Sequence, residues 1–209
     1  MAVKYTVDFF LEDNAQESII PPLFQRLISE SGMNPNLFYL SILHSRGGKS
    51  ISALKSYLHD AKKRGMSPAD CVVIGSDANC KGFIRKREML QTEANGLCLT
   101  IVTAIPDPHI ERWFLLDPTA LSTAVGENLV AHVPPYKCGK NEYKIRLKEA
   151  FKGSTVSPLS GGIEYGPEIA ANMNIYNAAK QDAGLEDFVS QTKLWLKSLK
   201  DKGQEMENM

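Results

Sequence analysis

The chain has 209 residues, 43% apolar and 23% charged, and its formal net charge is zero. That length and balance suit one globular domain, or one domain with an extension. They supply no overall field that would draw in nucleic acid, although a local basic strip on a neutral protein still binds phosphates.

The opening stretch Met1–Asp8 lacks the basic start and apolar core of a signal peptide, and no apolar run approaches the length of a membrane span. From Val3 to Leu11 apolar residues alternate, at Val3, Tyr5, Val7, Phe9 and Leu11, which predicts a strand. It ends in Glu12-Asp13-Asn14, with Asn14 the expected cap of a helix over Ala15–Ser31. Ile19, Leu23 and Leu27 recur there at helical spacing, and Pro21-Pro22 predict a start near Pro21 or a bend there. Leu37–His44 reads as a second strand. The glycine loop Ser45–Ser50 then opens a helix over Ile51–Arg64. A P-loop would need Gly where Leu43 stands, so that pattern fails. A looser phosphate grip by Arg46 and Lys49 is weighed against a solvated loop.

Cys71–Ser76 is the third strand. It is a short apolar run cut off by Gly75-Ser76-Asp77, the pattern of a strand buried on both faces. Ligand sites of open α/β sheets lie at the carboxyl ends of strands, where Asp77 and Asn79 fall, although Asp77 reads equally well as a helix cap. A helix over Lys81–Asn95 starts with Lys81, Arg85, Lys86 and Arg87. Cations at a helix start oppose its dipole, and so hint at an anionic partner. Leu97–Ala104 is the fourth strand. Strands and helices alternate to this point, which predicts right-handed crossovers and a mainly parallel sheet. No G-x-G-x-x-G follows any strand.

Past the fourth strand, Ile105–Asp117 carries two prolines and a short helix over His109–Leu116. Glu111 and Arg112 stand inside an otherwise apolar segment. A buried carboxylate is costly unless paired, so Glu111 is either a metal ligand or the partner of a buried arginine. Further helices are expected over Pro118–Val125, Asn141–Phe151 (basic and amphipathic), Pro167–Asn174 and Leu185–Lys200. A Pro-Pro loop spans Asn128–Lys140, Ser160–Gly166 is a glycine-rich turn, and the charged tail after Lys200 is expected to fray. The four cysteines, at 71, 80, 98 and 138, show no C-x-x-C spacing. Cys71 and Cys98 read as small core hydrophobes, which disfavours zinc and suits a reducing, cytoplasmic setting.

Three acids thus fall at or just beyond predicted strand ends: Glu12, Asp77 (with Asn79) and Glu111. Their mutual repulsion is offset by a divalent cation, and Mg²⁺ favours one or two carboxylates with waters and substrate phosphates. In this order the motifs resemble the Toprim fold of topoisomerases, bacterial primases and overcoming-lysogenization-defect nucleases. Phe9-Phe10-Leu11-Glu12 is similar to its first acidic element, and Ile74-Gly75-Ser76-Asp77-Ala78-Asn79 to its Asp-x-Asp element. Ile110-Glu111-Arg112-Trp113 resembles an Ile-Glu-x-Trp motif of Toprim-like bacterial proteins often encoded beside an ATPase in phage-defence modules, and Glu17 resembles the second acid of that family.

The resemblance covers roughly residues 1–125. It implies a Toprim-like α/β domain there, with residues 126–209 a mostly helical extension packed on it. It further implies a nuclease that hydrolyses DNA or RNA with Mg²⁺ or Mn²⁺, acting with an ATPase subunit, away from membranes, as a homo- or hetero-oligomer. Glu12, Asp77 and Glu111 would be catalytic. The metal set would be Glu12, Asp77, Asn79, Glu111 and Glu17. Lys81, Arg85, Arg87 and Arg112 would contact nucleic acid, with His109 or Arg112 assisting at the scissile phosphate. Two departures stand out: Asp13 where the family has Gly, and Asn79 where it has Asp. The second leaves open a one-ion site, or a catalytically silent subunit that binds an ATPase or senses a phage component. A plain α/β domain, its acids serving as caps and ion pairs, is the third reading.

Overall fold

The computed structural model describes residues 5–44, 50–65, 68–94 and 100–207. Four strands, β1 (Tyr5–Leu11), β2 (Phe38–His44), β3 (Cys71–Gly75) and β4 (Ile101–Ala104), form one sheet in the order β2-β1-β3-β4. Every pairing is parallel. The fold is α/β and Rossmann-like. The apolar run of β3 is buried at all five residues, as a strand covered on both faces must be. Within β1, Val7, Phe9 and Leu11 face one side of the sheet and Phe10 the other. The expected start of the fourth strand, residues 97–99, lies outside the described residues, as do Cys98 and the glycine loop at 45–49 with Arg46 and Lys49.

Helix α1 (Asn14–Glu30) covers the first face and joins β1 to β2. Asp13, not Asn14, caps it: the Asp13 carboxylate accepts from the Gln16 amide at 2.9 Å. The helix also starts before Pro21-Pro22 rather than at them. Two prolines remove the amides that would bond the carbonyls of Glu17 and Ser18. The buried stripe Ile19, Ile20, Leu23, Phe24, Leu27 and Ile28 holds the helix together regardless. Beside Ser18, Gly166 comes so close that a Cβ there would lie 2.6 Å from the Ser18 carbonyl oxygen.

Helices α2 (Ser50–Arg64) and α3 (Phe83–Ala94) cover the opposite face, where Leu54 and Leu90 pack on Phe10, Val72 and Ile74. The chain therefore leaves β1 toward one edge and returns through α2 to β3 on the other side. Neighbouring strands whose connections run in opposite directions define a topological switch point, the crevice where open α/β sheets bind ligands. Here it lies between the carboxyl ends of β1 and β3, at Glu12 and Ser76-Asp77.

Beyond β4 come α4 (Glu111–Phe114), α5 (Pro118–Val125), α6 (Glu142–Ala150), α7 (Gly166–Asn172), α8 (Ile175–Ala179) and α9 (Ala183–Glu207). The C-terminal helices share the α1-side core: Phe188 and Trp195 of α9 pack with Phe24, Trp113 and Phe38. One apolar core thus runs across residue 125, and the extension is the second layer of the sheet. The tail expected to fray after Lys200 continues α9 to Glu207. Cys71 is buried and unpaired, as expected, and burial pushes its thiol far up from its ordinary range. Cys80 and Cys138 form a disulfide, at a sequence separation of 58 that local spacing cannot report, and this bond counts against the reducing setting expected from the cysteines. Among the described residues no helix is long and apolar enough to cross a membrane.

Gly184 seats α9 on the exit of β4. A Cβ there would sit 1.9 Å from the Ile105 carbonyl oxygen, against backbone that cannot step aside. Gly184→Ala is expected to destabilise the fold by about 3 kcal/mol or more, measured by denaturant unfolding. Wild-type stability in that variant would mean that α9 does not dock there.

Candidate functional site

At the switch point the carboxyl ends of β1 and β3 are stitched by side chains. Glu12 accepts from the Ser76 hydroxyl at 2.5 Å through Oε1, and from the Asp77 amide at 3.3 Å through Oε2. Gln16, fully buried in α1, spans the same crevice. Its Oε1 accepts from the Glu12 amide at 3.0 Å and its Nε2 donates to Asp77 Oδ1 at 3.0 Å. Gly75 makes room for it, since a Cβ there would lie 2.5 Å from Gln16 Oε1. His109 Nδ1 meets the other Asp77 oxygen at 3.2 Å. Asp77 therefore caps no helix. Its carboxylate is held between an amide and an imidazole, while Asp107 Oδ2 accepts from the Phe83 amide at the start of α3 at 3.0 Å.

A cleft of about 700 Å³ opens beside this crevice. Glu12, Asp13, Glu17 and Glu111 line it, with Lys144 and Lys148 contributed by α6. Glu12 and Glu111, which follow β1 and β4, thus face one space, and Lys144 Nζ stands 3.8 Å from Glu111 Oε1. Asp77 and Asn79 do not line the cleft. Asn79 is exposed, takes a left-handed backbone (φ 49°) and donates its side-chain amide to the Asp77 carbonyl at 3.2 Å.

Two of the residues expected at phosphate are committed to the frame. Arg112 is buried. It pairs with Asp182 and donates to the Gln181 carbonyl at 2.8 Å, so it is a structural anchor rather than a phosphate contact. It is also not the partner of Glu111. Arg87 pairs with Asp187 of α9 at 3.1 Å, leaving its Nε buried without a hydrogen-bond partner. Lys81 and Arg85 are exposed. With Lys86 and Met89 they line a separate hollow of about 280 Å³.

Among the described residues no three His, Cys, Asp or Glu side chains are gathered to hold a metal ion by themselves. Mg²⁺ asks for less, one or two carboxylates with water and substrate phosphate completing the shell. Glu12 and Glu111 are the carboxylates from two strand ends that line the cleft, and each Glu12 oxygen accepts one bond and retains a lone pair for such a shell. Asp77 and Asn79 lie outside the cleft's lining, so the full five-residue ligand set does not share that space. Gln16, Ser76, Lys144 and Lys148 escaped the sequence reading as site residues. Gln16 carried a signal, as a polar residue in register with the apolar stripe Ile19, Ile20 and Leu23. Comparison with family models, curated proteins and solved structures finds no match for this chain.

Burial pushes the Asp77 carboxyl up, opposed by its bonds from His109 and Gln16, while the bond to Asp77 holds His109 above the ordinary histidine value. A histidine raised in the folded state contributes stability that is complete below its unfolded pKa, near 6.5, and is lost as pH rises through the folded value. His109→Gln is expected to flatten that part of the stability–pH curve, the decline that begins above about pH 6.5. By NMR titration, Asp77→Asn is expected to return His109 toward its ordinary value. An unmoved titration would show that the Asp77 bond is not the cause.

Proposed function

We propose that this chain is a Toprim-like nuclease that hydrolyses DNA or RNA with Mg²⁺ or Mn²⁺. As the effector of an anti-phage system it would act beside an ATPase subunit in a cytoplasmic setting. One arrangement supports the chemistry: carboxylates that follow two different strands, Glu12 and Glu111, open on one cleft next to the switch point. The ATPase and the defence setting rest on the motif resemblance alone.

In this reading Glu12 and Glu111 hold the ion and Glu17 lies on the same wall. The ion supplies an activated water and offsets charge on the phosphodiester. The chain's own residues do the rest. Ser76 and the Asp77 amide fix the Glu12 carboxylate, and Gln16 locks the β1 and β3 ends together. Lys144 and Lys148 give the cleft a cationic wall for a strand's phosphates, and Lys81 and Arg85 form a second basic patch at their own hollow. A second reading, the catalytically silent subunit, is favoured by one observation: Asp77, tied to Gln16 and His109, lies outside the lining of the cleft that holds Glu12 and Glu111.

Calorimetry with Mn²⁺ and Mg²⁺, with and without a short oligonucleotide, separates the two. Binding that falls at least about tenfold in Glu12→Gln, together with oligonucleotide cleavage, is expected. No binding by the wild type under either condition would leave the silent subunit. On the nucleic-acid side, Lys81→Ala with Arg85→Ala is expected to reduce the salt dependence of oligonucleotide binding, at about one unit of slope per lost phosphate contact. An unchanged slope would make that surface a merely solvated one.

A further inference from the structure

The Cys80–Cys138 bond joins two exposed positions 58 residues apart in the chain. Cys80 belongs to the loop that leaves β3, directly after Asp77, Ala78 and Asn79. Cys138 belongs to the segment 126–141 between α5 and α6, which contains neither helix nor strand. The two segments also meet through the Pro106–Pro108 turn. Ala78 and Asn79 donate their amides to the carbonyls of Pro106 and Pro108, at 2.9 and 3.0 Å. Asp107 takes the Phe83 amide on one oxygen and the Tyr136 hydroxyl, at 3.2 Å, on the other. That Tyr136 bond is exposed, so the disulfide is the strong link of the junction.

Its surroundings suit exchange. Both cysteines are exposed, so an arriving thiolate can reach the bond, and exposed Lys81 follows Cys80 directly, whereas Lys137 beside Cys138 pairs with Glu142 at 3.2 Å. On the Cys80 side the backbone is held in a costly form. Asn79 and Cys80 have φ of 49° and 63°, in the left-handed region that non-glycine residues seldom occupy. Such a conformation persists only where surrounding contacts impose it.

We propose that Cys80–Cys138 is a redox modification site, reduced by a dithiol, and that its state decides whether the 126–141 segment stays fastened to the loop carrying Asp77 and Asn79. One thiolate of the dithiol attacks a cysteine sulfur, which breaks the protein S–S bond and forms a mixed disulfide. Its second thiolate then closes the reductant's own disulfide. Two electrons and two protons pass from the dithiol to the cysteines, which end as two thiols. Oxidised, the segment is a strap bonded to the loop that leaves β3. Reduced, its first half stays anchored, with Leu129, Ala131 and Val133 packed on the core and the Leu129 amide on Ser122 at 3.2 Å. The part around Cys138 keeps the Tyr136–Asp107 bond and its own root, where Tyr143 accepts from the Lys137 amide at 2.8 Å and donates to the Pro135 carbonyl at 3.1 Å. Helix α6 keeps its place through buried Tyr143, Leu147 and Ala150, so the strap moves while the body stays folded. This inference is independent of the nuclease reading.

Thiol counting by mass spectrometry, joined to hydrogen exchange of the full chain before and after treatment with dithiothreitol, tests it. The air-oxidised protein is expected to carry the bond. Reduction is expected to speed exchange of the Asn79, Lys81 and Phe83 amides about tenfold or more, while the amides of β1 and β3 keep their protection. Cys138→Ser is expected to match the reduced protein under both conditions. Three results would overturn the proposal: no bond in the oxidised protein, reduction only together with loss of protection in β1 and β3, or exchange at Asn79–Phe83 that ignores the redox state.

Discussion

One buried carboxylate holds the layers of this molecule in register. Asp182, at the foot of α9, takes the Arg112 guanidinium, the Trp113 indole N–H at 3.1 Å and the Leu185 amide at 3.0 Å. Burial alone would drive such a group to its neutral form, and it does push the carboxyl up. The Arg112 charge is the largest force opposing that. Removing one member of a buried pair leaves the other uncompensated, at a cost of about 3–5 kcal/mol. Arg112 and Trp113 directly follow Glu111. The interaction that docks α9 therefore also fixes the short helix that turns Glu111 toward the cleft.

The other wall of the cleft depends on a quieter device. Gln16 is a neutral side chain, so its burial costs only what its hydrogen bonds return. It joins the Glu12 amide to the Asp77 carboxylate, and in doing so fixes the spacing of two strand ends that parallel pairing alone leaves as loose loops. Asp77 is thereby drawn into the frame, with Glu12 and Glu111 left at the cleft. Charge is also divided across that space, carboxylates from the sheet edge facing lysines from α6. A chain of zero net charge can thus present a strongly polar site.

Much of the fold was legible because its signals are local. The run Cys71–Ile74 stopped by Gly75, and the spacing of Ile19, Leu23 and Leu27, each report an environment from neighbours a few residues away. That Glu12 and Glu111 would both stand past strand ends was legible for the same reason, Glu12 as an acid closing an apolar run and Glu111 as an acid set inside one. What failed depended on partners far along the chain. Arg112 read as a phosphate contact, and nothing near it announces an Asp182 that lies 70 residues on. Arg87 likewise meets Asp187 from α9, and Asp77 meets Gln16 from α1 across a register that only the folded sheet creates. The prolines of α1 misled in the opposite direction, because a deep apolar stripe outweighed two missing hydrogen bonds.

The parallel order of the strands also governs how the molecule comes into being during synthesis. β1 is made first, yet its pairing with β3 waits for Cys71 and beyond, and its α1-side layer is completed only when α9 emerges. Non-local pairing of this kind is slow and leaves apolar surface open meanwhile. Phe24, Trp113 and Phe38 wait for Phe188 and Trp195. A nascent chain stalled before residue 183 would thus carry a finished sheet whose α1-side layer lacks its last helix and leaves those aromatic rings open, a natural client for a chaperone.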